Sequence, residues 1–505
     1  SIKIDKYLKE YFGYDSFVLK QRDVIKSILQ GKHTIAIFPT GGGKSICYQL
    51  PALIFPGTTI VISPLISLMK NQVDELAELN ISAAYISSIL SDNQVSKTIQ
   101  NMKKGLYKIV YIAPERFYSG EFIKALKGVH IPFVAVDEAH CISQWGHNFR
   151  PAYLKIKDLL GHMGKPILAA FTATANKKVQ EDIQNLLGIK GESNLFVESF
   201  DRPNLEFRIE ESYDKSAYTL KYVSENRNKS GIIYATTRAN VETLCDLLRS
   251  KGIAAGMYHA GLDNSIRNRT QEAFLNDEIK VIVATNAFGM GINKSDVRYI
   301  IHYNMPKSLE SYYQEAGRAG RDDKDSCCIL LHSQKDYSLN RFMIGGNYPA
   351  IKLVQMVYDR IKGRVSKGIA QELLLRSRTV DRYVLQSALR NLYEYNYAEL
   401  RGGMVYPVDA REFKLTQEEI NWHKEVEMDK LESIKEYCQG EECLRLFILD
   451  YFNEETDFKE CGNCSVCIGD RKDRLEQEGL DKALEEIMGI INDPIEIKSK
   501  NEHDK

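Results

Sequence analysis

The sequence lacks the features that mark membrane-embedded or exported proteins. Its 505 residues contain no apolar run approaching the roughly 18 residues of a membrane-spanning helix. The opening residues, SIKIDKYLKEYFGY, are charged and contain no apolar signal core. We therefore expect a cytoplasmic location and no membrane partner. The net charge of −1 argues against a broadly basic surface, although a local groove of positive charge would be enough to bind a polyanion.

The ten cysteines are unevenly placed, which argues against a disulfide framework. Six of the ten cysteines are scattered, several in apolar runs such as CCILLH, and we expect them to be small buried side chains. The other four have 17, 2 and 2 residues between them, a spacing that lets four thiolates surround one tetrahedral ion. Such a closed site is typical of structural Zn²⁺ and leaves no open position for catalysis. The predicted ligands are Cys443, Cys461, Cys464 and Cys467, with Cys438 as a weaker alternative.

Short apolar runs alternate with longer helical patterns over about the first 340 residues. Runs such as HTIAIF, FVAVDE, GIIYAT and CCILLH predict strands, and segments such as SLMKNQVDELAEL predict amphipathic helices. This alternation indicates an α/β fold with parallel sheets covered on both faces, and the run is too long for one sheet. The stretch FDRPNLEFRIEES, with its Pro203, indicates a break between two α/β domains.

The pattern changes after residue 345. GIAQELLLRS, TVDRYVLQSALRNLYEYNY and LRGGMVYPV predict a helix, a longer helix and a β-hairpin, which is the order of a winged-helix domain. Arg378, Arg382 and Arg390 would lie on or near the second helix, where they could contact DNA; the alternative is a helical packing module with solvated arginines. The predicted segments are the α/β domains 1–205 and 206–345, a winged-helix-like domain 346–415, a helical zinc-binding module 416–470 and a charged, weakly ordered tail 471–505.

The segment FPTGGGKSICYQL joins a predicted strand to a predicted helix. Consecutive glycines let backbone N–H groups cradle phosphate, and the helix N-terminus adds the positive end of its dipole. Lys44 would reach the β- and γ-phosphates of ATP, and Ser45 would bind Mg²⁺. Phe38 stands where the strict pattern has glycine, so this is a variant phosphate loop. The predicted nucleotide ligands of the loop are Thr40, Gly41, Gly42, Gly43, Lys44 and Ser45.

Asp137 and Glu138 end the predicted strand FVAVDE. The carboxyl ends of parallel strands face one crevice, so both acids are expected beside the phosphate loop. There Asp137 would hold Mg²⁺, and Glu138 would polarise the water that attacks the γ-phosphate. The second domain supplies QEAGRAGRD, which begins at Gln314 and would bring a cation to the γ-phosphate when the cleft closes. The predicted finger is Arg321, with Arg318 second; the alternative is two surface ion pairs.

Together these segments resemble the RecQ family of superfamily 2 DNA helicases, over residues 10–345 and 420–468. The matching stretches are PTGGGKS, SPLISLMKNQV, DEAHCISQWGHNFRP, FTATA, YHAGL, ATNAFGMGINK and SYYQEAGRAGRD. The resemblance implies two tandem RecA-like domains, with FTATA and ATNAFGMGIN lining the cleft between them. It also implies that Tyr14 and Gln21 contact adenine, Gln21 by two hydrogen bonds to the base edge. Val18 departs from the pattern, since the family usually has arginine at this position.

In RecQ-like helicases, the segment behind the two acids is an aromatic-rich loop that senses single-stranded DNA, and residues 141–153 match it. Aromatic faces stack on unpaired bases for about 1–3 kcal/mol each, whatever the base sequence. A loop attached to the acids would then make hydrolysis wait for DNA. The alternative is that Trp145 and Phe149 pack between domains. The expected DNA-contacting residues of the loop are Gln144, Trp145, His147, Phe149 and Arg150.

The expected activity is that of an ATP-dependent DNA helicase. It would couple Mg-ATP hydrolysis to movement on single-stranded DNA, in the 3′–5′ direction that the resemblance to the RecQ family implies. It would unwind forked or overhanging duplexes in repair or recombination, at the nucleoid of a bacterial cytosol. Its protein partners are not predicted. The alternatives are an RNA helicase and a DNA-stimulated ATPase that anneals or remodels DNA without processive unwinding. A winged-helix regulator with a vestigial nucleotide domain is disfavoured because Lys44, Asp137, Glu138 and Arg321 are all present.

Overall fold

The computed structural model describes most of the chain between residues 4 and 469. Within the described stretches, no helix is both long and apolar enough to cross a membrane. The tail expected over 471–505 lies outside the described residues, as do His147 and Arg378. The described residues are 4–87, 89–146, 149–189, 194–212, 214–289, 294–365, 367–377, 379–401, 403–408 and 412–469.

The first RecA-like domain is built on a seven-stranded parallel sheet. Its strands are β1 (Thr34–Ile37), β2 (Thr59–Ile62), β3 (Ala83–Ile86), β4 (Ile109–Ile112), β5 (Phe133–Val136), β6 (Ile167–Thr172) and β7 (Leu195–Val197). Their order is β3-β4-β2-β5-β6-β1-β7. Strands β1, β2, β4 and β5 are buried along their whole length, because helices cover both faces of the sheet.

Helices connect these strands. They are α1 (Ile4–Phe12), α2 (Gln21–Leu29), α3 (Lys44–Ile54), α4 (Ile66–Glu78), α5 (Asp92–Lys103), α6 (Gly120–Ala125), α7 (Ile156–His162) and α8 (Lys177–Leu187). Short 3₁₀ helices cover Pro114–Tyr118, Ala139–Ile142 and Pro151–Lys155. The predicted phosphate loop lies between β1 and α3, and the predicted acids follow β5.

The second RecA-like domain repeats the design with six parallel strands. They are β8 (Leu205–Glu211), β9 (Ser230–Tyr234), β10 (Ala255–Tyr258), β11 (Val281–Ala284), β12 (Val297–His302) and β13 (Ser326–His332), in the order β10-β11-β9-β12-β13-β8. The helices are α9 (Lys215–Glu225), α10 (Arg238–Ser250), α11 (Asn264–Leu275), α12 (Leu309–Ala316) and α13 (Gln334–Asn347). The parallel α/β fold predicted from the alternating pattern is confirmed.

The stretch FDRPNLEFRIEES, expected as a break, contains more structure than predicted. Its second half is β8, an edge strand that pairs with β13 over seven positions, from Leu205 opposite Ser326 to Glu211 opposite His332. This strand was not predicted, because Pro203 and the many charges of the stretch are typical of a loop. A strand with so many charges is tolerated at the edge of a sheet.

The region between the second sheet and the cysteine cluster has the elements of a winged helix. They are α14 (Ile351–Ile361), β14 (Ile369–Ala370), α15 (Gln371–Leu374), α16 (Arg382–Glu394), β15 (Ala398–Arg401) and β16 (Met404–Pro407), with an antiparallel sheet in the order β14-β16-β15. Helices α14 and α16 share a separate apolar core. The longer helix and the hairpin are present as expected. The first expected helix, GIAQELLLRS, is helical only over Gln371–Leu374, because Ile369–Ala370 pair with β16 as strand β14. Helix α14, which precedes them, was not predicted separately.

The last described elements are two helices, α17 (Gln417–Gln439) and α18 (Leu444–Tyr451). A capping box of Thr416 and Glu419 starts α17. One continuous hydrophobic cluster joins these helices to the inner faces of both large sheets. These helices and the residues that follow them, 416–469, are called the cysteine-bearing module. The module is therefore packed into the same core as the two RecA-like domains.

The cysteine-bearing module grips the linker between the two large sheets. Glu454 accepts hydrogen bonds from the Ser199 hydroxyl at 2.5 Å and the Phe200 backbone N–H at 2.6 Å. Arg445 is buried and donates to the carbonyls of Pro203 and Leu205, at 3.1 and 2.9 Å. These bonds fix the linker backbone on the surface of the module.

Candidate nucleotide cleft and nucleic-acid interface

A cleft of about 890 Å³ opens between the two RecA-like domains and contains most of the predicted nucleotide ligands. The phosphate loop turns sharply because Gly43 caps α3 in the left-handed region, at φ 68°. Lys44 is the first residue of the helix, and its Nζ donates to the Phe38 carbonyl at 3.3 Å. Burial lowers the pKa of Lys44, opposed by the negative charges of Glu138 and Asp137. From the first domain's loop and acids, the cleft is lined by Thr40, Gly41, Gly43, Lys44, Ser45 and Glu138.

Gln21 is buried against the phosphate loop. Its Nε2 donates to the Gly43 carbonyl at 3.0 Å, and its Oε1 accepts from the Val18 backbone N–H at 3.0 Å. A Cβ at position 43 would displace this amide, and the left-handed backbone of Gly43 disfavours any other residue there. Tyr14 lines the cleft and is 54% exposed, which leaves its ring available to a base. The contacts of Tyr14 and Gln21 with adenine stay a prediction.

The two acids lie at the end of β5, and Asp137 is 8% exposed. Burial, with the adjacent negative charge of Glu138, raises the pKa of Asp137 to about 7. Glu138 has a left-handed backbone, at φ 48°, and its N–H donates to Asp137 Oδ1 at 3.0 Å. A non-glycine residue held in this region is strained, and such strain is commonly found at functional sites.

A series of polar contacts leads from Glu138 to the second domain. His140 Nδ1 lies 3.3 Å from Glu138 Oε2 and 2.8 Å from the Thr172 hydroxyl. The Thr172 hydroxyl donates to the Thr174 carbonyl at 3.2 Å, and Gln314 Nε2 donates to the Thr174 hydroxyl at 3.1 Å. The FTATA segment was expected to line the cleft, but the part of His140 in joining it to the acids was not anticipated.

The two candidate fingers reach different parts of the cleft. Arg321 is packed against the phosphate loop, so that a Cβ at Gly41 would lie 3.1 Å from Arg321 Cδ. Burial and the nearby charge of Arg318 lower the pKa of Arg321 to about 10. Arg318 instead donates to the Gly289 carbonyl within its own domain. Arg321 therefore contacts the phosphate loop, and its role at the phosphates stays a prediction.

The aromatic loop lies against α17. The rings of Trp145 and Trp422 meet edge to face with centroids 5.1 Å apart, and Phe149 stacks on His423 at 5.4 Å. This is the packing alternative considered for the two rings, with a partner that the sequence analysis did not identify. Gln144 is exposed, and His147 lies outside the described residues.

The loop is fastened to the acids at its far end. The Arg150 backbone N–H donates to the Cys141 carbonyl at 2.9 Å, and the Tyr153 hydroxyl donates to the Asp137 carbonyl at 2.9 Å. The Arg150 side chain pairs with Glu115 at 3.0 Å and lines the cleft. Movement of the loop would therefore be transmitted to the backbone that carries the acids.

The arginines of the winged-helix region are less available than the sequence indicated. Arg382 begins α16 and forms two hydrogen bonds to Glu372, at 2.7 and 3.0 Å. Arg390 donates to the Asn347 carbonyl at 3.3 Å. Arg378 lies outside the described residues. A phosphate at Arg382 would have to compete with a carboxylate, although this ion pair is exposed and weak.

The four predicted cysteines come together in one cluster. Their sulfur atoms all lie within 4.8 Å of one another, close to the roughly 3.8 Å edge of a tetrahedron with 2.3 Å zinc–sulfur bonds. Hydrogen bonds from the neighbouring thiols lower the pKa of Cys443, and the Cys461 backbone N–H approaches its sulfur at 3.4 Å. Cys438 is not part of the cluster. The donor set fits a structural zinc ion.

Tandem RecA-like domains that share one nucleotide cleft, with a phosphate loop on one side and an arginine segment on the other, define the helicase class of nucleoside triphosphatases. Residues 19–183 match the DEAD/DEAH box helicase family, residues 214–323 the helicase conserved C-terminal domain and residues 408–468 the RecQ zinc-binding family. The chain belongs to the RecQ family of helicases.

Individual relatives agree with this assignment. The chain is 36% identical over 475 residues to the probable ATP-dependent DNA helicase RecS of Bacillus subtilis, covering 92% of each chain. It is 40% identical over 466 residues to the ATP-dependent DNA helicase RecQ of the same organism, covering 92% of this chain and 66% of the relative. With the RecQ proteins of Haemophilus influenzae and Pasteurella multocida it covers 63% and 64% of the relative. The chain thus spans somewhat less than two thirds of the length of these RecQ relatives.

Solved structures show the same fold at low sequence identity. The DUF1998 helicase MrfA bound to DNA superposes with a TM-score of 0.57 at 18% identity, over 81% of this chain and 62% of that one. The DEAD-box helicase Mss116 bound to ssRNA and UDP-BeF gives a TM-score of 0.55 at 19% identity, over 66% of this chain and 73% of that one.

Proposed function

We propose that this protein is an ATP-dependent DNA helicase that couples Mg-ATP hydrolysis to 3′–5′ movement along single-stranded DNA and unwinds forked or overhanging duplexes. The observation that carries the proposal is the attachment of the aromatic loop to the acids, through the Tyr153 hydroxyl on the Asp137 carbonyl. A strand that stacks on the loop would shift the backbone next to Glu138, and hydrolysis would depend on the strand.

The nucleotide roles follow the cleft geometry. Lys44 and the backbone N–H groups of the phosphate loop would bind the β- and γ-phosphates, and Ser45 and Asp137 would hold Mg²⁺, which neutralises phosphate charge. Glu138 would orient the attacking water, and Arg321 would stabilise charge on the γ-phosphate from the opposite domain. Gln21 supports the loop and, with Tyr14, would read the base.

The modules after the second sheet would hold duplex DNA beside the helicase core. Arg378 and Arg382 of the winged-helix-like domain 346–415 would contact phosphates. We propose that Zn²⁺ bound by the four-cysteine cluster keeps the module 416–470 folded, because a closed thiolate site contributes folding energy and no reactive position. The proposed bounds of the two RecA-like domains are 1–205 and 206–345.

DNA is favoured over RNA because the relatives that match more than nine tenths of this chain are named DNA helicases. Repair or recombination at the bacterial nucleoid is the process in which such an activity would serve.

The proposal is tested by steady-state ATP hydrolysis without nucleic acid and with single-stranded DNA, duplex DNA or single-stranded RNA. We expect strong stimulation by single-stranded DNA alone. Strand displacement on duplexes with a 3′ or a 5′ overhang then tests direction, and we expect unwinding of the 3′-tailed substrate. Stimulation without displacement of either would indicate an ATPase that remodels DNA, and stimulation by RNA would indicate an RNA helicase.

A further inference from the structure

Both tryptophans of the chain are in one contact. Trp145 belongs to the aromatic loop, and Trp422 belongs to the first helix of the cysteine-bearing module; the sequence contains no other tryptophan. Lys178 from α8 lies over the Trp145 ring, with its Nζ 2.9 Å from the centroid. The Trp145 ring is thus held between the first RecA-like domain and α17.

The second ring of the loop is held by the next residue of α17. Phe149 and His423 stack with an interplanar angle of 20°, so the imidazole covers a face of the phenyl ring. Tyr395, just beyond α16 in the winged-helix-like region, meets His423 edge to face at 5.6 Å. Two consecutive residues of α17 therefore engage the two rings proposed to stack on unpaired bases.

A polar bond fixes the backbone between the two rings. Lys430, one further residue of α17, is buried and donates from its Nζ to the Gly146 carbonyl at 2.8 Å. Gly146 has no room for a side chain, since a Cβ would collide with the His140 carbonyl. The backbone at Gly146 is therefore closely packed against His140 and bonded to the cysteine-bearing module.

We propose that Trp422, His423 and Lys430 form a latch on the aromatic loop, and that single-stranded DNA and the latch compete for Trp145 and Phe149. Latched, the loop keeps the acids in an arrangement with low hydrolysis; a strand that stacks on the rings releases it. These are positioning residues, because they touch the loop and not the nucleotide. The inference rests on the proposed function, since it presupposes hydrolysis that depends on DNA.

The latch explains why a DNA-activated enzyme would carry ring partners outside its helicase core. Each aromatic pair shifts an equilibrium by about two- to tenfold, enough to hold the loop back without blocking a strand that offers several bases. Because the latch lies on the helix that leads to the cysteine cluster, it also places control of hydrolysis in the module proposed to hold duplex DNA.

The first test is the double variant Trp422→Ala, His423→Ala, with Glu425→Ala as the matched control on the exposed side of the same helix. We expect ATP hydrolysis without nucleic acid to rise about 3- to 10-fold. We also expect half-maximal stimulation at a lower concentration of oligo(dT). Zinc content and a cooperative thermal transition verify the fold. A folded double variant with wild-type hydrolysis in the absence of DNA overturns the latch.

The second test compares the wild-type chain with two conservative single variants, and it decides the question even if the double alanine variant does not fold. Two indoles in an edge-to-face contact couple their transitions, and this gives a paired positive and negative circular dichroism signal. The wild-type spectrum is compared with the sum of the spectra of Trp145→Phe and Trp422→Phe. Each variant keeps one tryptophan, so the paired signal is absent from that sum. We expect it to be present without DNA and lost at saturating oligo(dT).

The two proposals fail in different ways. If oligo(dT) stimulates hydrolysis while the paired signal persists, the tryptophan contact is permanent packing, and only the latch is overturned. If no nucleic acid stimulates wild-type hydrolysis, the proposed function fails and the latch falls with it.

Discussion

The side-chain amide of Gln314 on α12 donates a 3.1 Å hydrogen bond to the hydroxyl of Thr174, which follows β6 in the other RecA-like domain. Thr174 is linked through Thr172 to His140, beside Glu138. The position of the second domain is therefore coupled to the acid proposed to orient water. The hydrogen bond of Gln314 joins the two domains, so opening of the cleft would break it.

Removing this link is expected to slow turnover more than it weakens nucleotide binding. Gln314→Ala should lower kcat for DNA-stimulated hydrolysis about fivefold, the effect of one neutral hydrogen bond, with KM for ATP nearly unchanged. Thr174→Val should behave alike, and Thr174→Ser, which keeps the hydroxyl, should restore the rate. The exposed Gln334→Ala serves as control. Equal rates for the valine and serine variants would remove the hydroxyl from the argument.

Lys44→Ala is expected to abolish hydrolysis. The variant removes a charged donor to the phosphates, a loss of roughly 100-fold or more in turnover, while DNA binding stays intact because the aromatic loop is untouched. Hydrolysis and the affinity for labelled oligo(dT) are measured together, with the exposed Lys32→Ala as control. Hydrolysis at half the wild-type rate would show that the phosphates bind elsewhere.

Arg321→Ala should lose about 10³-fold in turnover or more while still binding ATP, as expected of a finger that acts on the transition state. Arg318→Ala should cost less, because its guanidinium is bonded to the Gly289 carbonyl of its own domain. Binding of a fluorescent ATP analogue separates affinity from rate. The reverse order of the two variants would assign the finger to Arg318.

Trp145→Ala with Phe149→Ala should uncouple hydrolysis from DNA. Loss of two stacking rings weakens oligo(dT) binding by about 2–6 kcal/mol if both rings stack on bases, and stimulation should disappear. Gln144→Ala, an exposed neighbour in the same loop, is the control. Full stimulation of the double variant would mean that the rings only pack against α17.

Cys464→Ser is expected to lose zinc and most of the soluble protein, because three thiolates and a hydroxyl hold the ion poorly and its binding is folding energy. Cys438→Ser should keep zinc, since Cys438 lies outside the cluster. Elemental analysis of purified protein gives the zinc content directly. One zinc per chain in Cys464→Ser, or none in Cys438→Ser, would contradict the ligand set.

The sequence predicted those parts of the structure that depend on local pattern. Buried parallel strands are continuous apolar runs, and FVAVDE and CCILLH were recognised as β5 and β13 for that reason. The cysteines were recognised because their spacing is itself the geometry of a tetrahedral site. Strands β3, β7, β8 and β10 of the two large sheets were missed. Strand β8, LEFRIEE, is an edge strand rich in charge, whose identity is decided by its partner β13.

The contacts made by the site across the chain could not be read in the same way. Nothing local to Trp422 or His423 distinguishes them from other residues of an amphipathic helix, and their importance comes from a loop far away in sequence. The same holds for His140. The DEAH motif identifies this residue, but the sequence does not show that it contacts Thr172 and Glu138. The carboxylate facing Arg382 is another such case, because the sequence shows the arginine and not its partner.

The grip of Glu454 and Arg445 on the linker bears on how the two halves of the ATP site find each other again. If the linker were free, the two domains could diffuse apart, and each closure of the cleft would begin with a diffusional search. Because the linker is bound to the folded cysteine-bearing module, most of that freedom is removed. The effective concentration of Arg321 near Gly41 then stays high while the cleft is open. The cysteine-bearing module would thus set the rate of reassembly of a cleft that none of its described residues lines.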